Sequence, residues 1–221
     1  MINTQVCCQS TNISRFNTSA RATSDFFLMS FLVIIACYVL CHGLTAWVVT
    51  PVQSHFLPQI TVFASLVYLP HGVRVLATWA FGWKAMPALL VGASISAWMF
   101  TPSKDLDLLE PAILGSLVVG AASAFIAFEI ARLVGVNFYF GGSRRLKWKG
   151  LIAVGALSSI VNSVGQTLVF SGIIDLEKVI GVCTVYAVGD LVGLIICMVI
   201  LMFVFRWSRA FRVTKSDSDP A

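Results

Sequence analysis

The sequence VIGVCTVYAVGDLVGLIICMVILMFVF, residues Val179–Phe205, decides the fold. Its 27 residues contain one acidic or basic side chain, Asp190. A helix of this length, at about 1.5 Å per residue, is long enough to cross the ~30 Å hydrocarbon core of a bilayer. Five further apolar stretches precede it, at Phe26–Val49, Ile60–Phe81, Ala85–Phe100, Pro111–Val134 and Gly150–Gly172. The sequence therefore predicts an all-α, polytopic membrane helix bundle of about six transmembrane helices, with a marginal third span that is short, tilted or partly re-entrant.

Basic residues fall in alternate gaps between these stretches. Lys104 and Lys178 lie on one side, Arg74 lies inside a span, and the other twelve of the fifteen Lys and Arg residues lie on the opposite side. Because basic loops remain in the cytoplasm, this asymmetry predicts that both termini are cytoplasmic. The net charge of +5 comes mostly from that flank. We expect these basic residues to contact the headgroups of the lipid bilayer, and we expect no nucleic-acid partner.

The sequence predicts one membrane domain with a polar segment at each end. Residues 1–24 are rich in Ser, Thr and Asn and are predicted to be a disordered cytoplasmic tail, residues 25–207 form the integral membrane domain, and residues 208–221 form a second cytoplasmic tail. The sequence has no Ser or Cys nucleophile with a general base at a recognisable spacing, no metal-binding cluster and no phosphate-binding glycine loop. We therefore expect no enzyme activity, no cofactor and no metal, and we leave the oligomeric state open.

Arg74, Glu129 and Asp190 are ionisable residues within the predicted spans. Each costs about 2.5–3.5 kcal/mol near a helix centre on insertion scales, so they are expected to face the bundle interior. Depth along the helices favours Glu129 over Asp190 as the ion-pair partner of Arg74, although both stay open. A third interpretation is that Arg74 and Glu129 extend their charges to the membrane surface.

The second span contains a predicted break at Tyr68-Leu-Pro-His-Gly72. Pro70 removes a backbone donor and disfavours helix at the residue before it, so Pro70 and Gly72 are predicted to form a structural hinge. A helix that restarts here has its N-terminus and freed backbone groups inside the bundle. His71 and Arg74 are three residues apart and share a face of that helix.

Helices 5 and 6 add further polar side chains. On helix 5, Gly155, Ser158, Asn162 and Gln166 form one stripe. On helix 6, Gly189 and Gly193 would allow a neighbouring backbone to approach Asp190 closely. These patterns predict either hydrogen bonds that hold the helices together or a polar, ligand-binding cavity bounded by helices 2, 5 and 6. The residues assigned to that cavity are His71, Arg74, Asn162, Gln166, Tyr186 and Asp190.

Several of these segments resemble one known family. Leu69-Pro-His-Gly72, Phe81-Gly-Trp-Lys-Ala-Met-Pro87, Leu90-Val-Gly-Ala-Ser-Ile-Ser96 and Tyr186-Ala-Val-Gly-Asp-Leu-Val-Gly193 are similar to the first family of bacterial membrane-associated sensor domains. The resemblance implies a bacterial inner membrane location and a sensory role ahead of kinase or cyclic-dinucleotide modules. No such module follows helix 6 in this sequence.

The expected function is therefore a sensor-like domain that binds an unknown small ligand, or a membrane partner, and relays this to a separate signalling output protein. The alternative is a small-solute transporter, or the substrate-binding subunit of one, because broken helices and midplane polar residues also serve transport.

Overall fold

In the computed structural model, residues 25–56, 65–101, 110–141, 148–169 and 176–216 are described. These residues contain no strand and form six helices: α1 (Asp25–Phe56), α2 (Leu69–Phe81), α3 (Ala85–Phe100), α4 (Pro111–Leu133), α5 (Trp148–Val169) and α6 (Leu176–Ser216). α1 includes a π-helical turn at Thr45–Val49. The tail predicted at residues 1–24 lies outside the described residues.

Within the described ranges, five helical segments are long and apolar enough to cross a membrane, and this architecture fits a helical membrane bundle. The second of them, Leu69–Phe100, contains both α2 and α3. Between the two, Gly82 adopts a φ of 61°, a conformation that glycine reaches at little cost, and it ends α2. The prediction of about six helices is thus consistent with the structure. One of the five apolar segments contains two helices, α2 and α3, and the chain reverses direction between them.

Contacts with α1 show that α2 and α3 are antiparallel. α2 begins beside Thr45, whose hydroxyl oxygen accepts a 3.4 Å hydrogen bond from the Leu69 N–H. The turn that follows α2 lies near the start of α1, where the Lys84 ammonium is 4.5 Å from the centre of the Phe27 ring. α3 then returns along α1 as a helix about 24 Å long. The predicted third span is therefore a short helix that accompanies α1.

Four basic residues near the ends of the membrane spans lie together at one end of the bundle. This end, called the basic end below, carries Lys84, Arg132, Lys149 and Arg206. The loop after α4 closes it, because the Phe140 N–H donates a 3.0 Å hydrogen bond to the Trp79 carbonyl at the end of α2. The uneven distribution of basic residues along the sequence thus corresponds to a basic end of the folded bundle.

Exposed tryptophans mark both ends. Trp83, Trp148 and Trp207 lie at the basic end, whereas Trp47 and Trp98 lie at the far end, where α3 stops. Between them the helices present apolar side chains outward, among them Leu40, which is 72% exposed. Two belts of aromatic residues, one on each side of an apolar band, are typical of a membrane protein.

α6 is longer than the sequence predicted. The span was expected to end at Phe205 and a tail to begin at residue 208, but the helix continues to Ser216. Residues 206–216 include no Gly or Pro, and Arg, Lys and Ala favour helix, so the helix extends beyond the apolar segment.

The short helix α2 lies at the centre of the bundle. Eight of its 13 residues are buried. Val75 packs in an apolar cluster with residues of α4, α5 and α6, and Ala77 packs in a second cluster with residues of α1, α3 and α4. Apolar packing thus predominates on the basic-end side of Arg74.

Candidate functional site

The chain enters α2 through a non-helical segment, residues 65–68, inside the bundle. Non-helical backbone at membrane depth requires a partner for every donor. Each of the four successive N–H groups at residues 66–69 has one: Gln53 Oε1 at 2.7 Å, Ser65 Oγ at 3.4 Å, Gly189 O at 3.0 Å and Thr45 Oγ1 at 3.4 Å. The segment is therefore held by α1 and α6 and is a fixed part of the site.

Gly189 and Gly193 of α6 make this approach possible. A Cβ atom at Gly189 would overlap the Ser65 carbonyl, and one at Gly193 would overlap the Tyr68 carbonyl. The prediction that these glycines allow a neighbouring backbone to come close to Asp190 is confirmed.

The predicted hinge is only partly where the sequence placed it. Pro70 lies in the first turn of α2, where it lacks an N–H that would otherwise need a partner, so the break precedes it. Gly72 lies within the helix rather than at the break. A Cβ there would contact the side chain of Cys197, which shows that Gly72 permits close packing of α2 on α6.

Arg74 is buried, with 6% of its surface exposed. Its Nη2 donates hydrogen bonds to the Tyr38 hydroxyl at 2.7 Å and to the Tyr68 hydroxyl at 3.4 Å. The guanidinium carbon lies 5.6 and 5.4 Å from the centres of the same two rings, within the range of cation–π attraction. Gly120 of α4 lies against it and leaves room for the guanidinium. Arg74 therefore does not extend to the membrane surface.

Glu129 is not the partner of Arg74, so the pairing favoured from depth is wrong. Its carboxylate accepts a 2.8 Å hydrogen bond from the Tyr139 hydroxyl and lies 3.5 Å from Arg132, one turn away. Depth along a helix does not fix the direction of a side chain, and Glu129 points to the basic end. Burial, together with this bond to Glu129, raises the pKa of the Tyr139 phenol above its usual value.

Asp190 forms the second polar centre and is fully buried. Its Oδ2 accepts a 3.1 Å hydrogen bond from Asn162 Nδ2 and lies 3.3 Å from His71 Nδ1, outside good hydrogen-bond alignment. The other ring nitrogen, Nε2, lies 3.3 Å from the Gly155 carbonyl. Three residues that the sequence proposed, on helices 2, 5 and 6, are thus in contact.

A cavity of about 330 Å³ lies between the two centres. Its walls include five of the six predicted residues; His71 lies behind Asp190. The lining reaches Thr101, just beyond α3, so the cavity extends from the middle of the bundle toward the far end. The lining residues are Tyr38, His42, Ser65, Tyr68, Arg74, Ala93, Ala97, Thr101, Ser116, Leu117, Asn162, Gln166, Tyr186 and Asp190.

Polar residues of α5 hold helices together as well as lining the cavity. Gln166 Nε2 donates a 3.1 Å hydrogen bond to the Ser116 carbonyl of α4, and Ser159 Oγ donates to the Ala187 carbonyl of α6 at 3.2 Å. The polar face of α5 therefore both joins helices through hydrogen bonds and contributes to the cavity wall.

The sequence did not single out Tyr38, Tyr68 and His42 as site residues. Tyr38 and His42 lie four apart on α1, so both face the interior, and the His42 ring makes an edge-to-face contact with the Tyr68 ring, with ring centres 6.0 Å apart. Two polar-tipped aromatic residues at this spacing in an apolar helix were the available signal.

No protein-family model matches this chain, and no curated protein or solved structure is similar to it. The resemblance to bacterial membrane-associated sensor domains stays a prediction. Function is therefore inferred from the site and from the sequence patterns.

Proposed function

We propose that this protein is a sensor-like integral membrane domain that binds a small ligand in the central cavity and relays its occupancy to a separate output protein. The distribution of basic residues favours cytoplasmic termini. The likeness of its motifs to bacterial sensor domains favours a bacterial inner membrane.

The main support is the set of buried polar atoms around the cavity. Arg74 Nε, Asn162 Oδ1 and Asp190 Oδ1 have no hydrogen-bond partner among the described residues. A buried polar atom left without a partner costs about 1–3 kcal/mol, and folded proteins rarely keep several in one place. A ligand with matching donors and acceptors would remove this cost, which favours binding over a purely structural role.

α6 offers a route for the signal. It carries Asp190 in the cavity wall and continues without interruption to Ser216, about 40 Å further along the helix axis. A ligand that prefers one packing of α6 against α2 and α5 would shift the population of that packing. The output protein would then sense the displaced end of α6 beyond the basic end.

The first experiment tests binding. The full chain is purified in lipid nanodiscs and denatured, and the released small molecules are identified by mass spectrometry. The cavity-filling variant Ala97→Phe is compared with Ala36→Phe, which adds the same ring on the exposed face of α1. We expect a compound released in near-stoichiometric amount from wild type and Ala36→Phe and lost from Ala97→Phe. Equal release from all three proteins would contradict the proposal.

The transport alternative has one specific support, the non-helical segment at residues 65–68 followed by the short helix α2, an arrangement that transporters use at substrate sites. Proteoliposomes would be incubated with the radiolabelled form of the compound identified above, supplied outside the vesicles. Accumulation against a gradient that Asp190→Asn abolishes would establish transport and overturn the sensor proposal. Capture of a kinase or cyclase from native membranes, without uptake, would support the sensor.

A further inference from the structure

The cavity lining contains one cation, Arg74, and one carboxylate, Asp190, which do not form an ion pair with each other. Among the described residues, no carboxylate oxygen lies within 4.0 Å of the Arg74 guanidinium. Its hydrogen-bond partners are two phenols, which carry no charge near neutral pH. A buried cation is costly unless an anion or strong acceptors compensate it, so the state of Asp190 decides the charge of the site.

The partners of His71 indicate that Asp190 does not supply this compensation. The Gly155 carbonyl only accepts, so Nε2 of His71 must carry a hydrogen. If the pair held no other proton, the lone-pair nitrogen Nδ1 would lie 3.3 Å from a negatively charged carboxylate oxygen of Asp190, an unfavourable contact. One further proton, on Nδ1 or on Oδ2, removes this repulsion. Asn162, the other polar neighbour of Oδ2, is a neutral donor and leaves the count unchanged.

With that proton the His71–Asp190 pair is neutral in either arrangement, as an ion pair or as a neutral acid and imidazole. The charge of Arg74 is then unbalanced, and the site carries a net charge of about +1. On this basis, and resting on the proposed function, we infer that the cavity binds a small oxyanion, a carboxylate or a phosphate, through the guanidinium of Arg74.

The tyrosines fit this role. Each hydroxyl accepts from Arg74 and keeps its own O–H, and even if one donates to the other, one O–H remains for a ligand oxygen. A planar guanidinium binds oxyanions with directed, charge-assisted hydrogen bonds. The volume of about 330 Å³ is near the lower end of the ~300–1,000 Å³ range of small-molecule sites.

The opposite wall adds a second requirement. Asp190 Oδ1 and Asn162 Oδ1 are acceptors without a partner among the described residues. They are complementary to an N–H or O–H donor on the same ligand. The preferred ligand is therefore a small oxyanion that also carries an amine or hydroxyl group.

Thermal unfolding of the full chain in nanodiscs tests the inference, with tryptophan fluorescence as the signal and constant ionic strength. The oxyanion probes are acetate, lactate, glycine and inorganic phosphate, and the comparison probes are ethanolamine and glycerol. We expect an oxyanion to raise Tm by about 5–10 °C when saturating, and lactate or glycine to exceed acetate. Arg74→Gln should abolish the shift, Arg74→Lys should keep part of it, and Arg132→Gln, at the basic end, should keep all of it.

A second arm needs no ligand. Leu117 lines the cavity one turn from Gly120, which contacts the guanidinium. Leu117→Asp places a carboxylate there, and Leu117→Asn is its neutral match. If the site lacks an anion, Leu117→Asp should unfold at the higher temperature of the two.

The outcomes separate the two proposals. Stabilisation by ethanolamine or glycerol alone, or an oxyanion shift that survives Arg74→Gln, would overturn the oxyanion inference and leave ligand binding in place. If no probe raises Tm, a higher Tm for Leu117→Asp than for Leu117→Asn supports the inference. A lower Tm for Leu117→Asp overturns it. The proposed function fails separately, if Ala97→Phe releases the same compounds as wild type.

Discussion

Two clusters in this molecule use the same three kinds of side chain, an arginine, a carboxylate and a tyrosine, in different surroundings. At the basic end, Arg132 and Glu129 lie 3.5 Å apart with their side chains 62% and 34% exposed, and Tyr139 bonds the carboxylate. In the centre, Arg74 bonds two tyrosines, while Asp190 pairs with His71.

The difference shows what burial does to the same chemistry. At the basic end water screens the charges, so a pair within one helix is sufficient and contributes little. In the centre each group depends on partners from other helices, and polar atoms without partners remain beside a cavity. The four predictions below test this contrast.

Asp190→Ala is expected to have the largest effect. It removes the partner of both His71 and Asn162 and should lower the free energy of unfolding by about 3 kcal/mol. Glu129→Ala should cost less than about 1 kcal/mol, because Glu129 is partly exposed. Chemical unfolding in mixed micelles, followed by tryptophan fluorescence, measures both. Asp190→Asn should retain most of the stability, and equal losses at positions 129 and 190 would remove the contrast.

Gly193→Ala is expected to cost about 2–3 kcal/mol, because its Cβ would meet the Tyr68 carbonyl, which cannot move without shifting the segment before α2. The matched control at the basic end is Gly150→Ala, where the new Cβ would meet the ring of Phe138, a residue in a loop. That ring can turn away, so the cost should stay below about 1 kcal/mol. The same unfolding assay compares them, and a Gly193→Ala protein as stable as wild type would contradict the close approach.

Tyr38→Phe removes the 2.7 Å hydrogen bond to Arg74 and leaves a buried donor without that partner. We expect a loss of about 1–2 kcal/mol, whereas Tyr139→Phe should cost less than about 1 kcal/mol. Unfolding midpoints give the two values. A smaller loss at Tyr38 than at Tyr139 would mean that the phenol does not stabilise the guanidinium.

The smallest effect concerns pH. Burial and the bond to Glu129 raise the pKa of Tyr139 above its ordinary value of 10.0. The unfolded chain therefore loses this proton first, so stability should decline as the pH rises above about 10. Ultraviolet difference spectra of wild type minus Tyr139→Phe report the titration. Glu129→Gln should move it to lower pH, and a transition at the ordinary value would show that Tyr139 is not held by Glu129.

The sequence predicted the site better than it predicted the pairings. Arg74, Asn162, Gln166, Tyr186 and Asp190 were chosen because polar residues in apolar spans face inward, and all five line one cavity. The favoured partner of Arg74 was wrong, because depth along a helix says nothing about the rotation of that helix about its axis. Tyr38 was missed for a related reason: its spacing from His42 indicates a shared face of α1, but its contact with Arg74 depends on how α1 is rotated about its axis.

By itself the sequence determined the helical membrane architecture, the polarity of the bundle and the break before Pro70, since each follows from local composition and the bilayer's requirement for satisfied backbone groups. Only the tertiary structure decided that Arg74 lies between two phenols while Asp190 faces His71. Those outcomes depend on how the helices rotate and pack, which is fixed by contacts between residues distant in the chain.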